Sequence, residues 1–589
     1  MIGGMDKEAV VEALEEIAVL LELKGENPFK ARAYINAART LERWEGSLLT
    51  VVEEERLGEI KGFGDALQQK VAEFVTKGKL EYLEKLRASV PEGLVAMLDL
   101  PGLGPKKIKR LNDKLNIDSV EALEVACQED KVAGLSGFGA KTQQKILEGI
   151  EFRRRHASQH RIGDALMVAG PMLDRLRSHP DVIRCSLAGS LRRHKEVIGD
   201  VDFLVSAKES GVIMEFFTQQ PEVESVIAAG ETKAGVILEG GIQADLRVVS
   251  DTEFPFALAY FTGSKEHNIV MRQRAIKRGL RLNEYGLFRS QEESRDPEFL
   301  EPCATEEEIF AKLDLPYIEP ELRENRGEFE AAEKNELPRL LEWSELRGSL
   351  HNHSTWSDGK QSLKEIIERS RELGCDYWAV TDHSRSSFQA NGLDAKRLRK
   401  QIKTLQQLNA KLESEGDSFR LLTGSEVDIL SDGQLDFDDE LLSDLDVVVA
   451  SVHNGFTQSE AQITNRFIKA AENPYVHMLG HLTGRLLLER DAYAINQKAV
   501  IDVCAETGTW IELNASPYRF DLDWRLWGYA KKKGVKGVIN CDAHRAEHAG
   551  FLRLGAGIAR KGWLTKKDVI NTQPLEKLKT SLAAKRTRG

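Results

Sequence analysis

Five short apolar runs in the second half of the chain each end on polar or histidine-bearing steps. They are YWAVTDHS from Tyr377, VVVASVHN from Val447, VHMLGHL from Val476, WIELNAS from Trp510 and GVINCDAH from Gly537. Amphipathic helical stretches occur in the same region, such as KQSLKEIIERSRELG from Lys360. Strands alternating with helices form parallel sheets, and in a β/α barrel the strand ends are where active-site groups collect. The chain has 589 residues, too many for one core, so this barrel is expected to be one domain among several.

Residues of metal-binding types gather at those strand ends and in two further stretches. His351, His353 and Asp358 lie in GSLHNHSTWSDGK, His383 in TDHS, Glu426 in GSEVD, His453 in SVHN, His481 in GHL, and Asp542 and His544 in CDAHR. Mixed imidazole and carboxylate sets suit Zn, Mn or Fe better than Mg. Nine groups exceed what one tetrahedral ion needs, so a cluster of two or three metals is expected. Such clusters generate a hydroxide near neutral pH and clamp a phosphoryl group. His477, His548 and the histidines of the first half are read as core or surface residues. Arg545, beside His544, reads equally as a phosphate contact or as a solvated side chain.

The first 150 or so residues carry a different repeat. IKGFGDALQQKV from Ile60, LPGLGPKKIKRL from Leu100 and LSGFGAKTQQKIL from Leu135 share an apolar residue, a Gly-X-Gly turn and a helix with Lys or Gln on its polar face. The paired glycines (Gly62 and Gly64, Gly102 and Gly104, Gly137 and Gly139) allow a tight turn that brings backbone N–H groups against a phosphate at a helix start. This is the helix-hairpin-helix arrangement, which grips a DNA backbone without reading sequence.

Between these regions lies LAGSLRRHKEVIGDVDFLVSA, from Leu187. Gly189 and Ser190 form a turn with free N–H groups, followed by Arg192 and Arg193. Asp200 and Asp202 stand at i and i+2 of a strand and face one side. Paired carboxylates on one face call for a hard divalent ion. GIQADLRVV supplies a third, Asp245, from a second strand. Three Asp, a Gly-Ser turn and an arginine make a two-metal phosphoryl-transfer site.

The order GS-x-RR, GDVD and a later Asp resembles the nucleotidyltransferase site of the DNA polymerase X family, over about residues 1–317. The stretch YFTGSKEHNIVMRQRAIKRGLRLNEYGLF is similar to that family's thumb. The resemblance implies that Asp200 and Asp202 bind both metals, and that Asp245 binds the catalytic metal and activates a primer 3′-hydroxyl. It implies triphosphate contacts from Ser190, Arg193 and Arg161, and a sugar-crowding pair in Tyr260 and Phe261. Gly263 and Ser264 would turn beneath the nucleotide, Asn268 would touch the incoming base, and Arg272 the template. Lys265 departs from the vertebrate relatives, which carry an acid there. Lys70 falls where some members carry a Schiff-base lysine acting on a 5′-deoxyribose phosphate, with Lys30 and Tyr34 at supporting positions. A solvated helix lysine is the alternative, and Ala66 stands where another family lysine would be. From about residue 347 to 575 the histidine series resembles the PHP (polymerase and histidinol phosphatase) family, whose domains are distorted β/α barrels that hydrolyse phosphoesters. Fused to a bacterial family X polymerase, such a domain is associated with 3′→5′ exonuclease activity and removal of 3′ blocking groups.

The expected architecture is therefore multidomain. Residues 1–88 would be a helical domain with the first hairpin, 89–151 a helical domain with the other two, 152–251 an α+β palm and 252–317 a thumb. Residues 318–346 would be a charged linker, and 347–589 the phosphoesterase barrel. Mg²⁺ or Mn²⁺ is expected at the Asp triad and Mn²⁺ or Zn²⁺ at the histidine cluster. The expected partners are gapped or primed DNA and dNTPs, the setting short-gap filling in base excision repair, and the state monomeric. The net charge of −12 speaks weakly against nucleic acid, but local basic clusters and backbone amides hold phosphates on acidic proteins. No run of 18 apolar residues occurs, which predicts no membrane span. Six dispersed cysteines read as reduced, cytoplasmic thiols. A small-molecule nucleotidyltransferase joined to a small-molecule phosphatase is the alternative. Neither substrate would need three DNA-gripping hairpins. A catalytically dead DNA-binding scaffold would need neither the Asp triad nor the filled ligand set.

Overall fold

The computed structural model describes residues 7–42, 44, 48–289 and 297–587. The chain divides into two units, Met1–Ala157 and Ser158–Gly589. The first unit is helical. Its three Gly-X-Gly turns precede α1 (Asp65–Lys77), α2 (Pro105–Leu115) and α3 (Ala140–His156). At each turn the first glycine adopts a positive φ, +93° at Gly62, +79° at Gly102 and +87° at Gly137, which other residues reach only with strain. The second glycine is the residue before the helix in all three. Beyond Gly62, Gly64, Gly102 and Gly104 lies open space, whereas Gly137 is crowded by the Arg110 guanidinium.

The second unit holds two large sheets beside two two-stranded ones. The first has five strands: β1 (Val182–Leu187), β2 (Asp200–Ala207), β3 (Val223–Ala229), β4 (Lys233–Leu238) and β5 (Ile242–Val249), in the order β1-β2-β5-β4-β3. β2 and β5 run parallel, with Asp202 directly opposite Asp245. After this sheet come α4 of the thumb (Phe254–Thr262) and α5 (Lys265–Lys277).

The second sheet has seven parallel strands in sequence order. They are β6 (Gly348–Ser349), β7 (Tyr377–Val380), β8 (Arg420–Asp428), β9 (Val447–Ser451), β10 (Met478–Leu479), β11 (Trp510–Asn514) and β12 (Gly537–Asn540). All five apolar runs contain strands. The run holding Glu426 is the longest strand, although no strand was expected there. Just past β6 and β12 the edges meet: Asp542 N–H donates to the His351 carbonyl at 3.1 Å and His353 N–H to the Ala543 carbonyl at 2.8 Å. The barrel is thus nearly closed, and its seam is built by metal-ligand candidates.

The stretch expected as a charged linker is instead a packed strap. Leu322, Arg323, Glu328, Phe329 and Leu341 are buried. Its charges are matched: Arg323 with Glu306 at 2.6 Å, Glu328 with His267 at 3.0 Å, Glu321 with Arg560 at 2.7 Å and Glu324 with Lys561 at 2.6 Å. High charge density in a sequence reads the same whether the charges face water or one another, which is why composition suggested a spacer.

Candidate active sites

Asp200, Asp202 and Asp245 come together because β2 and β5 are parallel neighbours in register. Behind them the chain turns at Gly189, with φ +61°, and a Cβ there would collide with the Asp202 carboxylate. Glycine is therefore required both by conformation and by space. Burial, then the adjacent Asp200 and Asp245, pushes Asp202 up to about 6. Burial and Asp245 raise Asp200 as well, against Lys233. Lys233 lies 2.9 Å from Asp245, and Arg247 and Lys233 together only partly offset the burial and mutual repulsion of the carboxylates. The donor set and the raised acids fit divalent ions held between them.

Ser190 lies in the turn after Gly189, in the short helical segment Gly189–Arg192. Tyr260 and Phe261 end α4 edge to face, their rings 5.2 Å apart. Asn268 donates to the Tyr260 carbonyl at 2.7 Å, and Arg272 lies one turn further along α5. Gly263 has φ +65° and Ser264 caps α5 by accepting from His267 N–H.

Two arginines are placed differently from expectation. Arg193 is buried, donating to Glu324 at 3.0 Å and to the Thr262 carbonyl. It borders the turn but is held by protein acceptors. Arg161 donates to Asp164 and to Glu489 of the barrel region and stacks on Tyr518 at 3.9 Å. Its guanidinium joins the palm to the barrel rather than standing free for a triphosphate.

The nine barrel residues also converge. Among the described residues, atoms of His353, Asp358, His383 and His544 form one group of metal-ligand size, those of His351, His353 and Glu426 a second, and those of His383, Glu426 and His453 a third. His481 lies 2.8 Å from Glu426, and Asp542 lies 3.0 Å from His353. His353, His383 and Glu426 each belong to two of these groups and so link all three, as a cluster requires. His351 Nε2 and His353 Nδ1 are buried without a hydrogen-bond partner, and His383 Nδ1 and Glu426 Oε2 lie 2.9 Å apart outside hydrogen-bond geometry. Buried polar atoms are ordinarily paired, so these lone pairs fit metal ions. Burial, then His544 and His383, pushes His353 down to about 3, which keeps it a neutral ligand. Against burial, His453, His351 and His383 hold Glu426 well below its ordinary range.

Three residues of this site were not anticipated. Glu512 accepts from His351 Nδ1 at 2.7 Å and from His481 N–H at 2.7 Å. Asp428 holds His453 Nδ1 at 2.8 Å. Such outer carboxylates fix the tautomer and aim of ligand imidazoles. For Glu512 the signal was an acid inside the apolar strand run WIELN; Asp428, in the mixed run LLTGSEVD, carried none. Arg519 lines the cleft above the ligands, its Nε 3.5 Å from Asp542. The cleft has a volume of about 430 Å³, and Phe388 stands on its wall, 78% exposed.

In the helical unit, Lys70 and Lys30 lie over the same ring, Tyr82, at 4.8 and 5.6 Å, and Tyr34 stacks on that ring. Lys70 also donates to the Ala66 carbonyl at 3.1 Å. Lys70, Lys30 and Tyr34 therefore do cluster, around a tyrosine that sequence reasoning missed.

Comparison with known proteins finds relatives for several segments and for the chain as a whole. Family models match a helix-hairpin-helix domain at residues 5–80, a SAM-like helix-hairpin-helix tandem at 94–151, the DNA polymerase beta thumb at 257–324 and the PHP domain at 349–516. Over 580 residues the chain is 40% identical to "DNA polymerase/3'-5' exonuclease PolX" of Bacillus subtilis (strain 168), covering 98% of this chain and 99% of that protein. The chain belongs to the PolX family. Shorter relatives match part of the chain. A "probable phosphatase" of Caldanaerobacter subterraneus subsp. tengcongensis is 25% identical over 256 residues, 41% of this chain and 94% of its own length. Another, of Thermoanaerobacter pseudethanolicus, is 29% identical over 180 residues, 29% of this chain and 71% of its own.

Proposed function

We propose that the chain is a DNA-directed DNA polymerase that fills short gaps and trims 3′ ends with a second, metal-dependent 3′→5′ exonuclease site. The observation that carries this reading is two complete phosphoryl-transfer constellations in a chain that aligns end to end with a PolX. Asp200, Asp202 and Asp245 would hold Mg²⁺ or Mn²⁺, and the nine barrel residues Mn²⁺ or Zn²⁺. Bound divalent ions would lower the pKa of the attacking hydroxyl or water and neutralise the transferred phosphate.

The protein's own groups do the rest. The Gly189–Ser190 turn presents N–H groups and a hydroxyl to phosphate oxygens. Tyr260 and Phe261 crowd the sugar where a ribose would place its 2′-hydroxyl. Asn268, held by the Tyr260 carbonyl, faces the base, and Arg272 the template. The hairpin turns hold the DNA backbone at Gly62, Gly64, Gly102 and Gly104, with the turn at Gly137 and Gly139 a more crowded third. At the barrel, Glu512 and Asp428 aim ligand imidazoles, Arg519 attracts the scissile phosphate, and Phe388 offers a face for a base. The Lys70 cluster supports a 5′-deoxyribose phosphate lyase step.

A second reading of the barrel, removal of a 3′-phosphate, is favoured by its open cleft and by the phosphatase names of the shorter relatives. Gapped DNA with dNTPs and Mn²⁺ tests both sites. Asp200→Ala should lose extension and keep resection, and His351→Ala should do the reverse. Loss of both activities in either variant would refute independent sites. A 3′-phosphorylated primer, unblocked by wild type and not by His351→Ala, would support the second reading.

A further inference from the structure

Lys561 ends the helix Phe551–Lys561 of the barrel region and is fully buried. A buried ammonium is costly unless well partnered. This one donates to the Glu324 carboxylate at 2.6 Å and to the Arg193 carbonyl at 3.0 Å, and it reaches the Glu321 carbonyl at 3.5 Å. The Trp524 ring lies 4.6 Å away. Burial pulls Lys561 down to about 8, with Glu324 holding it up. Glu324 in turn accepts from Arg193 Nε. Arg193 N–H closes the turn by donating to the Gly189 carbonyl, and the Arg193 guanidinium donates to the Thr262 carbonyl, one residue before Gly263. The same barrel helix approaches so closely that a Cβ on Gly557 would collide with the His194 ring, next to Arg193. A lysine of one catalytic domain therefore joins the turn that borders Asp202 in the other.

We propose that Lys561 is a positioning residue for nucleotidyl transfer. From the barrel region it fixes Glu324 and the Arg193 carbonyl, and so keeps Arg193 beside the Gly189–Ser190 turn, where nucleotide phosphates arrive. The proposal rests on Arg193, held by protein acceptors in this structure, contacting the triphosphate when a nucleotide is bound. It predicts that nucleotide affinity at one site depends on a residue of the other domain that touches neither DNA nor metal.

The test uses the full-length chain with Lys561→Met, Lys561→Arg, Glu324→Gln and Arg193→Met. Extension of gapped DNA is measured against dNTP concentration with Mg²⁺, and resection of a single-stranded 3′ end with Mn²⁺. Lys561→Met and Glu324→Gln should each raise the KM for dNTP about tenfold, with kcat changed far less. Resection should stay within about twofold of wild type, and Lys561→Arg should recover most of the KM, since the cation is retained. A KM unchanged in Lys561→Met and Glu324→Gln, beside a raised KM in Arg193→Met, would overturn the proposal alone. An unchanged KM in Arg193→Met would overturn the Arg193 reading and the proposal with it. Extension and resection falling together, in step with loss of folded protein in both Lys561→Met and Glu324→Gln, would show a purely structural role and overturn it too.

Discussion

Asp202 concentrates the electrostatic problem of the palm. Its folded-state pKa is raised, from an ordinary 3.8 to about 6, so the folded protein keeps a proton that the unfolded chain has lost. Stability from this group is present below the ordinary carboxylate range and is lost as pH rises through 6. The shift corresponds to at most roughly 3 kcal/mol, less with partial solvent screening. In EDTA, wild type should therefore lose about 1–3 kcal/mol relative to Asp202→Asn between pH 4 and pH 7, and Mg²⁺ should restore it at pH 7. Denaturant titrations at the two pH values measure this, and parallel pH dependence of the two proteins would contradict it. At the barrel, the comparable residue is Glu512, which aims His351 through a 2.7 Å hydrogen bond. Glu512→Gln should lower metal affinity about 10–100-fold and reduce resection at limiting Mn²⁺, while extension is unchanged. Full resection at limiting metal would show that His351 needs no such partner.

Elements differ in how plainly they stood in the sequence. The glycine hairpins were legible because φ-permissive residues recur at fixed spacing ahead of helices, and the positive φ at Gly62, Gly102 and Gly137 is the physical reason for that spacing. The barrel strands carrying His383, His453 and Asp542 were legible because apolar runs end abruptly in ligand chemistry. The strand through Glu426 was hidden: LLTGSEVD mixes small and polar residues, all buried in the structure, and a run of that composition looks like a loop. Glu512 and Asp428 were hidden because a carboxylate's partner is set by strand register, not by its neighbours in sequence. Arg161 and Arg193 were assigned by pattern, whereas the acceptors that hold them, Glu489 and Glu324, come from over a hundred residues away. The hairpins also give the test at this scale. Gly62→Val and Gly102→Val together put side chains at positive φ and into the open space over the turns. The affinity for gapped DNA should fall about tenfold or more and its salt dependence should become shallower, as phosphate contacts are lost. Extension at saturating DNA should persist. Unchanged salt dependence would place the DNA grip elsewhere.

Across the second unit, palm and barrel share a set of ion pairs, most of them buried, rather than a hinge. Glu196 of the palm meets Arg485 at 2.5 Å, with both side chains nearly buried. Arg161 meets Glu489, and Glu321 and Glu324 of the strap meet Arg560 and Lys561. Gly163 faces Pro517 so closely that a Cβ would collide with its ring. Arg485 also donates to the Arg519 carbonyl at 2.8 Å, so the pair that binds the palm also holds the backbone of a cleft arginine. These contacts require palm and barrel to unfold together. Breaking one buried partner leaves an uncompensated charge, which costs about 3 kcal/mol or more, whereas removing both leaves none. Arg485→Met should therefore destabilise the unit by about that amount, and Glu196→Gln combined with Arg485→Met should recover part of it. Denaturant unfolding followed by tryptophan fluorescence and by loss of extension activity should give coincident transitions in wild type. Separate transitions, with extension lost before the barrel melts, would mean that the ion pairs bridge two independent folding units, and the additive loss in the double variant would then confirm that Glu196 and Arg485 act apart.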